Sequence, residues 1–161
     1  MLSEQNIKPE SISKSRIDRL KQAVEKIKQK FTPEQLSSVE ALIVYGSTAL
    51  GLANEQSDID LFIAFAKDKP IKPDQFKKVA KIIQDELPDI IININLGALT
   101  NPKGRRTKSI TLRSAKHPER VPSWDFIYVK DEETKHRLDQ CLREARKFWD
   151  SLGINQPPKQ N

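Results

Sequence analysis

The feature that most constrains the fold is a continuous apolar run at residues 41–45, which reads ALIVY and is closed by Gly46 and Ser47. A short apolar run bounded by turn residues is typical of a strand that is buried on both faces. The chain has 161 residues, which is enough for one ordinary domain and too few for two. The run therefore predicts a central strand in the sheet of a single domain.

Helical and extended patterns alternate around this run. From Ile17 to Phe31 apolar residues recur at spacings of three and four, which predicts a helix that starts near Ser13 and keeps its Lys and Arg side chains outside. A capping pattern at Thr32 predicts a second, short helix that ends near Ser38. The other predicted elements are a half-helix at 48–53, helices at 73–86 and 131–153, the latter capped by Asp131, and strands at 58–65, 90–96 and 125–129.

The order of these elements predicts the architecture. Because strands and helices interleave, we expect an α/β or α+β fold with a mixed sheet of about four to five strands packed by helices. The predicted domain covers residues 13–153, with a flexible N-terminus at 1–12 and a polar tail at 154–161.

Composition excludes several classes of protein. No apolar run approaches the roughly 20 residues of a membrane span, and the N-terminus lacks the apolar stretch of a secretory signal. Cys141 is the single cysteine and only two histidines are present, so a cysteine cluster or histidine-rich zinc site is not expected. These observations favour a cytoplasmic enzyme or binding protein.

The charge is unevenly distributed. The chain carries 28 basic and 22 acidic side chains, a formal charge of +6. Residues 32–100 hold 10 acidic and 6 basic side chains, whereas residues 101–120 hold 7 basic and 1 acidic. The basic block at 103–120, which includes Lys103, Arg105 and Arg106, is either a set of anion contacts or a solvated loop.

Two groups of polar residues lie at the ends of neighbouring predicted strands. Gly46 and Ser47 precede the predicted half-helix, where backbone N–H groups, the helix dipole and the serine hydroxyl can hold an anion. Asp58 and Asp60 open the next strand at positions i and i+2, so their carboxylates point to the same side. Such a pair suits Mg²⁺, which prefers oxygen ligands and links carboxylates to substrate phosphates. The pattern predicts adjacent phosphate and metal sites.

This arrangement resembles the nucleotidyltransferase superfamily that includes DNA polymerase β, the aminoglycoside nucleotidyltransferases and the small antitoxin-type enzymes. The shared signature is Gly-Ser, a spacer of about ten residues and Asp-x-Asp between apolar strands. The resemblance implies a polymerase β-like palm, a nucleoside triphosphate substrate and two Mg²⁺ ions, for which Mn²⁺ could substitute. It also implies that Gly46 and Ser47 hold the triphosphate while Asp58 and Asp60 act as catalytic metal ligands.

The resemblance further implies a third metal-binding carboxylate on a later strand. In the smallest relatives it lies on the strand after the helix, where Asp89 opens the strand but the inner polar positions are the neutral amides Asn93 and Asn95. In polymerase-like relatives it comes later, and Asp125, followed by an apolar run, fits that position. We take Asp125 as the third catalytic acid and keep Asp89 as the alternative. If neither reaches the metals, the site would bind nucleotide without turning it over.

Two functions therefore remain. The first is a Mg²⁺-dependent nucleotidyltransferase that moves a nucleoside monophosphate, AMP from ATP as the expected case, to a hydroxyl of a protein, RNA or small molecule and releases pyrophosphate. The alternative is a catalytically inactive module of the same fold that binds nucleotide, nucleic acid or a toxin partner. The acceptor stays open, with a toxin protein or an RNA as candidates, no membrane partner is expected, and the oligomeric state stays open.

Overall fold

The computed structural model describes residues 7–99 and 123–151, which form three helices and four strands. The mixed α/β fold predicted from the sequence is confirmed, and the described ranges contain four strands of its sheet. The elements in chain order are α1 (Pro9–Lys30), β1 (Val39–Tyr45), β2 (Ile59–Phe65), α2 (Pro73–Glu86), β3 (Ile92–Gly97), β4 (Trp124–Val129) and α3 (Glu132–Ser151).

The four strands form one sheet in the order β3-β2-β1-β4. β1 runs antiparallel to both β2 and β4, whereas β2 and β3 are parallel. A parallel pair needs a crossover connection, and α2 supplies it. All seven residues of β1 are buried, so the apolar run at 41–45 does form a central strand covered on both faces.

The helices cover the two faces of the sheet and divide the core in two. α1 and α2 pack against one face, and α3 packs against the other. The first core contains Leu20, Val24, Ile27, Val44, Ile59, Leu61, Ile63, Val79 and Ile83. The second core contains Ala41, Ile43, Tyr45, Phe62, Ala64, Leu138, Cys141 and Leu142. Alternation along β1 and β2 therefore sends successive side chains to different cores.

α1 differs from its prediction at its start and on one face. It begins at Pro9, four residues before the predicted start near Ser13; proline has a φ suited to the first helical position, and Glu10 adds an acid to the first turn. Arg16 was expected outside, but only 4% of it is exposed. The periodicity of apolar residues does not predict this burial, because Arg16 is a polar residue on the face of the helix that packs against the core.

Two predicted short helices are hydrogen-bonded turns in the structure. Thr32 and Gln35 do form the predicted capping contacts, with Thr32 N–H donating to Gln35 Oε1 at 2.8 Å and Gln35 N–H to Thr32 Oγ1 at 3.2 Å. Residues 33–38 are turns, however, and the chain enters β1 directly after them at Val39. Residues 46–51 are likewise a series of turns rather than a half-helix.

Several predictions concern residues outside the described ranges. These are the basic block at 103–120 with Lys103, Arg105 and Arg106, and the tail at 154–161. In the ranges that are described, no helix is long and apolar enough to cross a membrane.

Candidate functional site

The two carboxylates predicted to share a face are brought together at one end of the sheet. Asp60 lies in β2 and pairs laterally with Asn93 of β3, while Asp58 lies two residues earlier. The side-chain nitrogen of Asn93 donates to Asp58 Oδ2 at 3.4 Å and to Asp60 Oδ1 at 3.3 Å. Because one amide reaches both acids, the acids and Asn93 form a single cluster, here called the acid cluster.

Gly46 forms the wall of the acid cluster on the side of β1. Its φ is +72°, and a Cβ built on it would lie 2.6 Å from Asp60 Oδ2. A contact that short is impossible for a real Cβ, so only glycine allows this carboxylate to lie against the backbone. The sequence prediction that the Gly-Ser turn and the Asp-x-Asp strand are adjacent thus has a direct structural counterpart.

The turn after Gly46 offers polar groups but no helix N-terminus. Leu50 N–H donates to Gly46 O at 3.1 Å and Leu52 N–H donates to Ser47 O at 2.9 Å, which folds the turn back on itself. Thr48 is 1% exposed, and its Oγ1 is the one buried side-chain polar atom without a hydrogen-bond partner in the described ranges. Ser47 is half-buried next to it.

Tyr45 and Asn95 extend the polar group along the same sheet face. Tyr45 lies opposite Asp60 in the β1–β2 register, and its hydroxyl accepts a hydrogen bond of 2.8 Å from Asn95 Nδ2. Burial raises the pKa of the Tyr45 hydroxyl, the hydrogen bond from Asn95 opposes the increase, and the charge of Asp60 adds to it. The phenol therefore stays neutral beside the acids at ordinary pH.

The structure does not bring Asp125 to the acid cluster. Asp125 is in β4, on the other side of β1, and lies opposite Val44, whose side chain belongs to the first core. Asp60 lies opposite Tyr45, whose side chain belongs to the second core. Residues directly across a sheet share a face, so the Asp125 side chain is on the opposite face from Asp60.

A bulge in β4 explains this orientation. Leu42 pairs with Tyr128, but the next residue, Ile43, pairs with Phe126, so one additional residue, Ile127, is inserted. A one-residue shift reverses the face of every side chain that follows it. Without the bulge, position 125 would lie opposite Tyr45 and face the site.

Asp89, the alternative third acid, does not complete the acid cluster either. It is exposed in the turn between α2 and β3. Across residues 7–99 and 123–151, no group of three or more His, Cys, Asp or Glu side chains could hold a metal ion. The neutral amide of Asn93 contacts both Asp58 and Asp60.

The donor set fits a hard divalent cation with protein ligands on one side. Two carboxylates supply oxygen atoms, which Mg²⁺ prefers, and Mg²⁺ commonly takes only one or two protein carboxylates together with substrate phosphates and waters. The close approach of Asp60 to Gly46 leaves the turn backbone next to that cation position. The residues present therefore fit the metal that the resemblance implies, with one carboxylate fewer than it implies.

Two residues of α1 near the site were not singled out by the sequence. Ser13 is 3% exposed and Arg16 is 4% exposed, and both contact the segment that leads into Asp58. Their spacing from Leu20 places them on the helix face that packs against the core. The sequence indicates their role only through the occurrence of polar residues at positions of the helix that face the core.

Comparisons with known proteins were made on the sequence and on the fold. A family described as a nucleotidyltransferase domain matches residues 20–148, which include the turn at Gly46, both aspartates and Asn93. Among curated protein sequences, none matches. A crystal structure of "the toxin-antitoxin with AMP-PNP" is similar in fold, with 10% sequence identity and a TM-score of 0.48, over 83% of this chain and 92% of that chain.

Proposed function

Because the chain belongs to the nucleotidyltransferase domain family, we propose that it binds a nucleoside triphosphate with Mg²⁺ and transfers the nucleoside monophosphate to a hydroxyl acceptor. The observation that carries this proposal is the acid cluster, in which Asn93 contacts both Asp58 and Asp60 beside Gly46. Carboxylates next to a glycine turn are a suitable set of groups for a metal-bound triphosphate.

The proposed reaction is a displacement at phosphorus. The acceptor oxygen forms a bond to the α-phosphorus, the bond from that phosphorus to the bridging oxygen breaks, and pyrophosphate leaves with the electron pair. The proton of the acceptor hydroxyl passes to solvent. Bound Mg²⁺ would neutralise phosphate charge and stabilise the attacking and leaving oxygens. Asp58 and Asp60 would hold the cation, and Asn93 would keep their side chains together.

The turn after β1 would supply the contacts to the triphosphate. Ser47 offers a hydroxyl donor, and the absence of a side chain at Gly46 permits close approach to the backbone. ATP is the donor we expect. The acceptor is a hydroxyl of a protein, an RNA or a small molecule, since the fold of a nucleotidyltransferase does not select among them.

One observation favours a second function, nucleotide binding without transfer. Asn93 stands beside the two aspartates, and its amide binds cations more weakly than a carboxylate and cannot accept a proton from the acceptor. In the described ranges no other acid joins the pair. On this alternative, the same residues bind the metal nucleotide but the chemical step does not occur.

The experiment that tests both functions measures binding and transfer on the same protein. The full chain is incubated with α-³²P-labelled nucleoside triphosphates, Mg²⁺ and three acceptor pools, namely protein, RNA and small hydroxyl compounds. Binding of Mg²⁺-ATP is measured by calorimetry. Replacing both acids, Asp58→Ala with Asp60→Ala, should reduce label transfer and binding to background because the cation loses its charged ligands. Asp68→Ala, an exposed acid after β2, is the matched control.

The outcomes separate the proposals. Label transfer that depends on Asp58 and Asp60 supports the enzyme, whereas binding without transfer supports the alternative. Transfer that survives in the double variant would remove the assigned site. Asp125→Ala tests the third-acid prediction directly: the sheet register leads us to expect unchanged transfer, and a loss equal to that of the double variant would restore Asp125 to the site.

A further inference from the structure

Arg16 is a charged side chain that the fold buries next to the acid cluster. Its guanidinium donates from Nη1 to Ser57 O at 2.5 Å and from Nη2 to Glu55 O at 3.3 Å. Burying a guanidinium is costly unless its donors are satisfied. Both acceptors are backbone carbonyls of the segment that immediately precedes Asp58, so the cost of burial is offset at this place in the chain.

Ser13, one turn earlier on α1, holds the other end of the same segment. Its Oγ accepts a hydrogen bond of 3.1 Å from the backbone N–H of Ala53. Between these anchors, residues 52–58 have no helix or strand of their own, and a local turn closes where Ser57 Oγ accepts from Asn54 N–H at 3.0 Å. The position of Asp58 thus depends on contacts that α1 provides.

We propose that Arg16 and Ser13 are positioning residues of the acid cluster, which fix residues 53–57 to α1 and thereby set the affinity of Asp58 and Asp60 for a divalent cation. The inference rests on the proposed function, since it assumes that these acids bind the cation. Both positioning residues lie before residue 20, where the family match begins, so they are features of this chain beyond the matched region.

The charges around Arg16 agree with this role. Burial lowers the pKa of Arg16, the neighbouring Arg19 lowers it further, and the Asp58 carboxylate raises it. Asp58 is thus close enough to interact with the guanidinium electrostatically. Mutation of residues that orient metal ligands without contacting the metal typically lowers metal affinity by about 10- to 100-fold.

Arg19 provides a matched control on the same helix. Its Nη2 donates to Glu86 O at 2.7 Å and so joins α1 to the end of α2 rather than to residues 53–57. Arg16→Lys and Arg19→Lys both keep the positive charge and remove the planar guanidinium. They therefore differ in which segment loses its anchor and not in the charge of the protein.

The test measures Mn²⁺ binding to the full chain by electron paramagnetic resonance of the free ion, with Mn²⁺ as a spectroscopic probe of the Mg²⁺ site. We expect Arg16→Lys to weaken Mn²⁺ binding by about 10-fold or more, and Arg19→Lys to stay within about two-fold of the wild type. Ser13→Ala, which changes no charge, should weaken binding in the same direction as Arg16→Lys. Urea unfolding of each variant records any general loss of stability.

The outcomes of the Mn²⁺ experiment distinguish a failure of the positioning role from a failure of the proposed function. Wild-type affinity in Arg16→Lys and Ser13→Ala would overturn the positioning role and leave the proposed function intact, as would equal losses in Arg16→Lys and Arg19→Lys. A wild-type chain that binds no Mn²⁺ would overturn the proposed function, and this inference with it. If Arg16→Lys does not fold, Ser13→Ala decides the question, because a single buried hydroxyl is a small deletion.

Discussion

At the scale of single residues, two glycines share a positive φ, but only one of them lies against a carboxylate of the acid cluster. Gly46 and Gly51 have similar positive φ values of +72° and +74°. A Cβ on Gly51 would have Glu10 Cγ as its nearest neighbour, at 3.9 Å, which is ordinary contact, whereas a Cβ on Gly46 would collide with Asp60 Oδ2. Alanine at either position therefore carries the same conformational cost, but only at Gly46 must a site carboxylate move.

This contrast gives a prediction for a pair of variants. Gly46→Ala and Gly51→Ala should each lower the free energy of unfolding by about 1–2 kcal/mol, the cost of a left-handed conformation for a residue with a side chain. Mn²⁺ affinity should fall in Gly46→Ala, because Asp60 rotates away from the added methyl group, and should not change in Gly51→Ala. Urea unfolding and Mn²⁺ titration measure the two quantities, and equal Mn²⁺ affinities would contradict the arrangement of Asp60 against Gly46.

At the scale of elements, the sequence predicts correctly those features that depend only on neighbouring residues, such as helix caps. Asp131 was predicted as a helix cap, and its Oδ1 accepts a 2.7 Å hydrogen bond from Thr134 N–H at the start of α3. The capping contacts of Thr32 also form, although the helix that they predict is a series of turns. The register of strand pairing depends on residues that are distant in the sequence, and no sequence pattern predicts the bulge at Ile127.

This difference between local patterns and strand pairing determines which residues of the site the sequence predicts correctly. Gly46, Ser47, Asp58 and Asp60 could be selected from the sequence because the first two follow one strand and the two acids open the next, at a characteristic spacing. The resemblance predicts Asp125 as the third acid from its place before an apolar run, and that place does not reveal which face of the sheet its side chain takes. The charge of Arg16 predicts a solvent-exposed side chain, whereas its position on α1 places it on the buried face of the helix.

An ion pair between β1 and α3 illustrates how elements are joined away from the site. The β1–β2 register shifts at Glu40, a residue that is 6% exposed, and its carboxylate accepts a hydrogen bond from Arg137 of α3. Lys130 Nζ lies 3.9 Å from the same oxygen. Without Arg137, a buried carboxylate would be left with one distant cation.

We therefore expect Arg137→Met to lower the free energy of unfolding by about 1–3 kcal/mol, as measured by urea denaturation. The lower part of that range is favoured because the Arg137 side chain is 51% exposed. Lys147→Met is the control, since its exposed pair with Glu144 on the same helix should contribute less than about 0.5 kcal/mol. A loss no greater than that of the control would mean that Glu40 is solvated after the change.

At the scale of the whole molecule, pKa shifts divide into an acidic and an alkaline group. A hydrogen bond from the backbone N–H of Thr134 lowers the pKa of Asp131. Burial opposes ionisation of Asp139, but hydrogen bonds from Arg143 and Trp124 outweigh it and lower its pKa. Burial raises the pKa of Tyr45 and Tyr128 and of the Cys141 thiol.

These directions fix the pH range in which the fold is most stable. A carboxyl whose pKa is lowered on folding contributes stability above its unfolded value near 4, and that contribution is lost as the pH falls through the folded pKa. A tyrosine whose pKa is raised contributes stability below its unfolded value near 10, and that contribution is lost as the pH rises through the folded pKa. Stability should therefore be greatest between these limits and fall on both sides.

A single substitution tests how much Tyr45, the last residue of the central strand β1, contributes to the loss of stability at alkaline pH. Tyr45→Phe removes the titrating hydroxyl but keeps the ring, so its stability should decline less steeply than that of the wild type as the pH is raised beyond about 9. At pH 7 the variant should be less stable by about 1 kcal/mol, because Asn95 loses its hydrogen-bond acceptor. Urea unfolding at a series of pH values gives both curves. Parallel curves over the alkaline range would show that ionisation of Tyr45 does not contribute to alkaline unfolding, and that Tyr128 or Cys141 accounts for the decline.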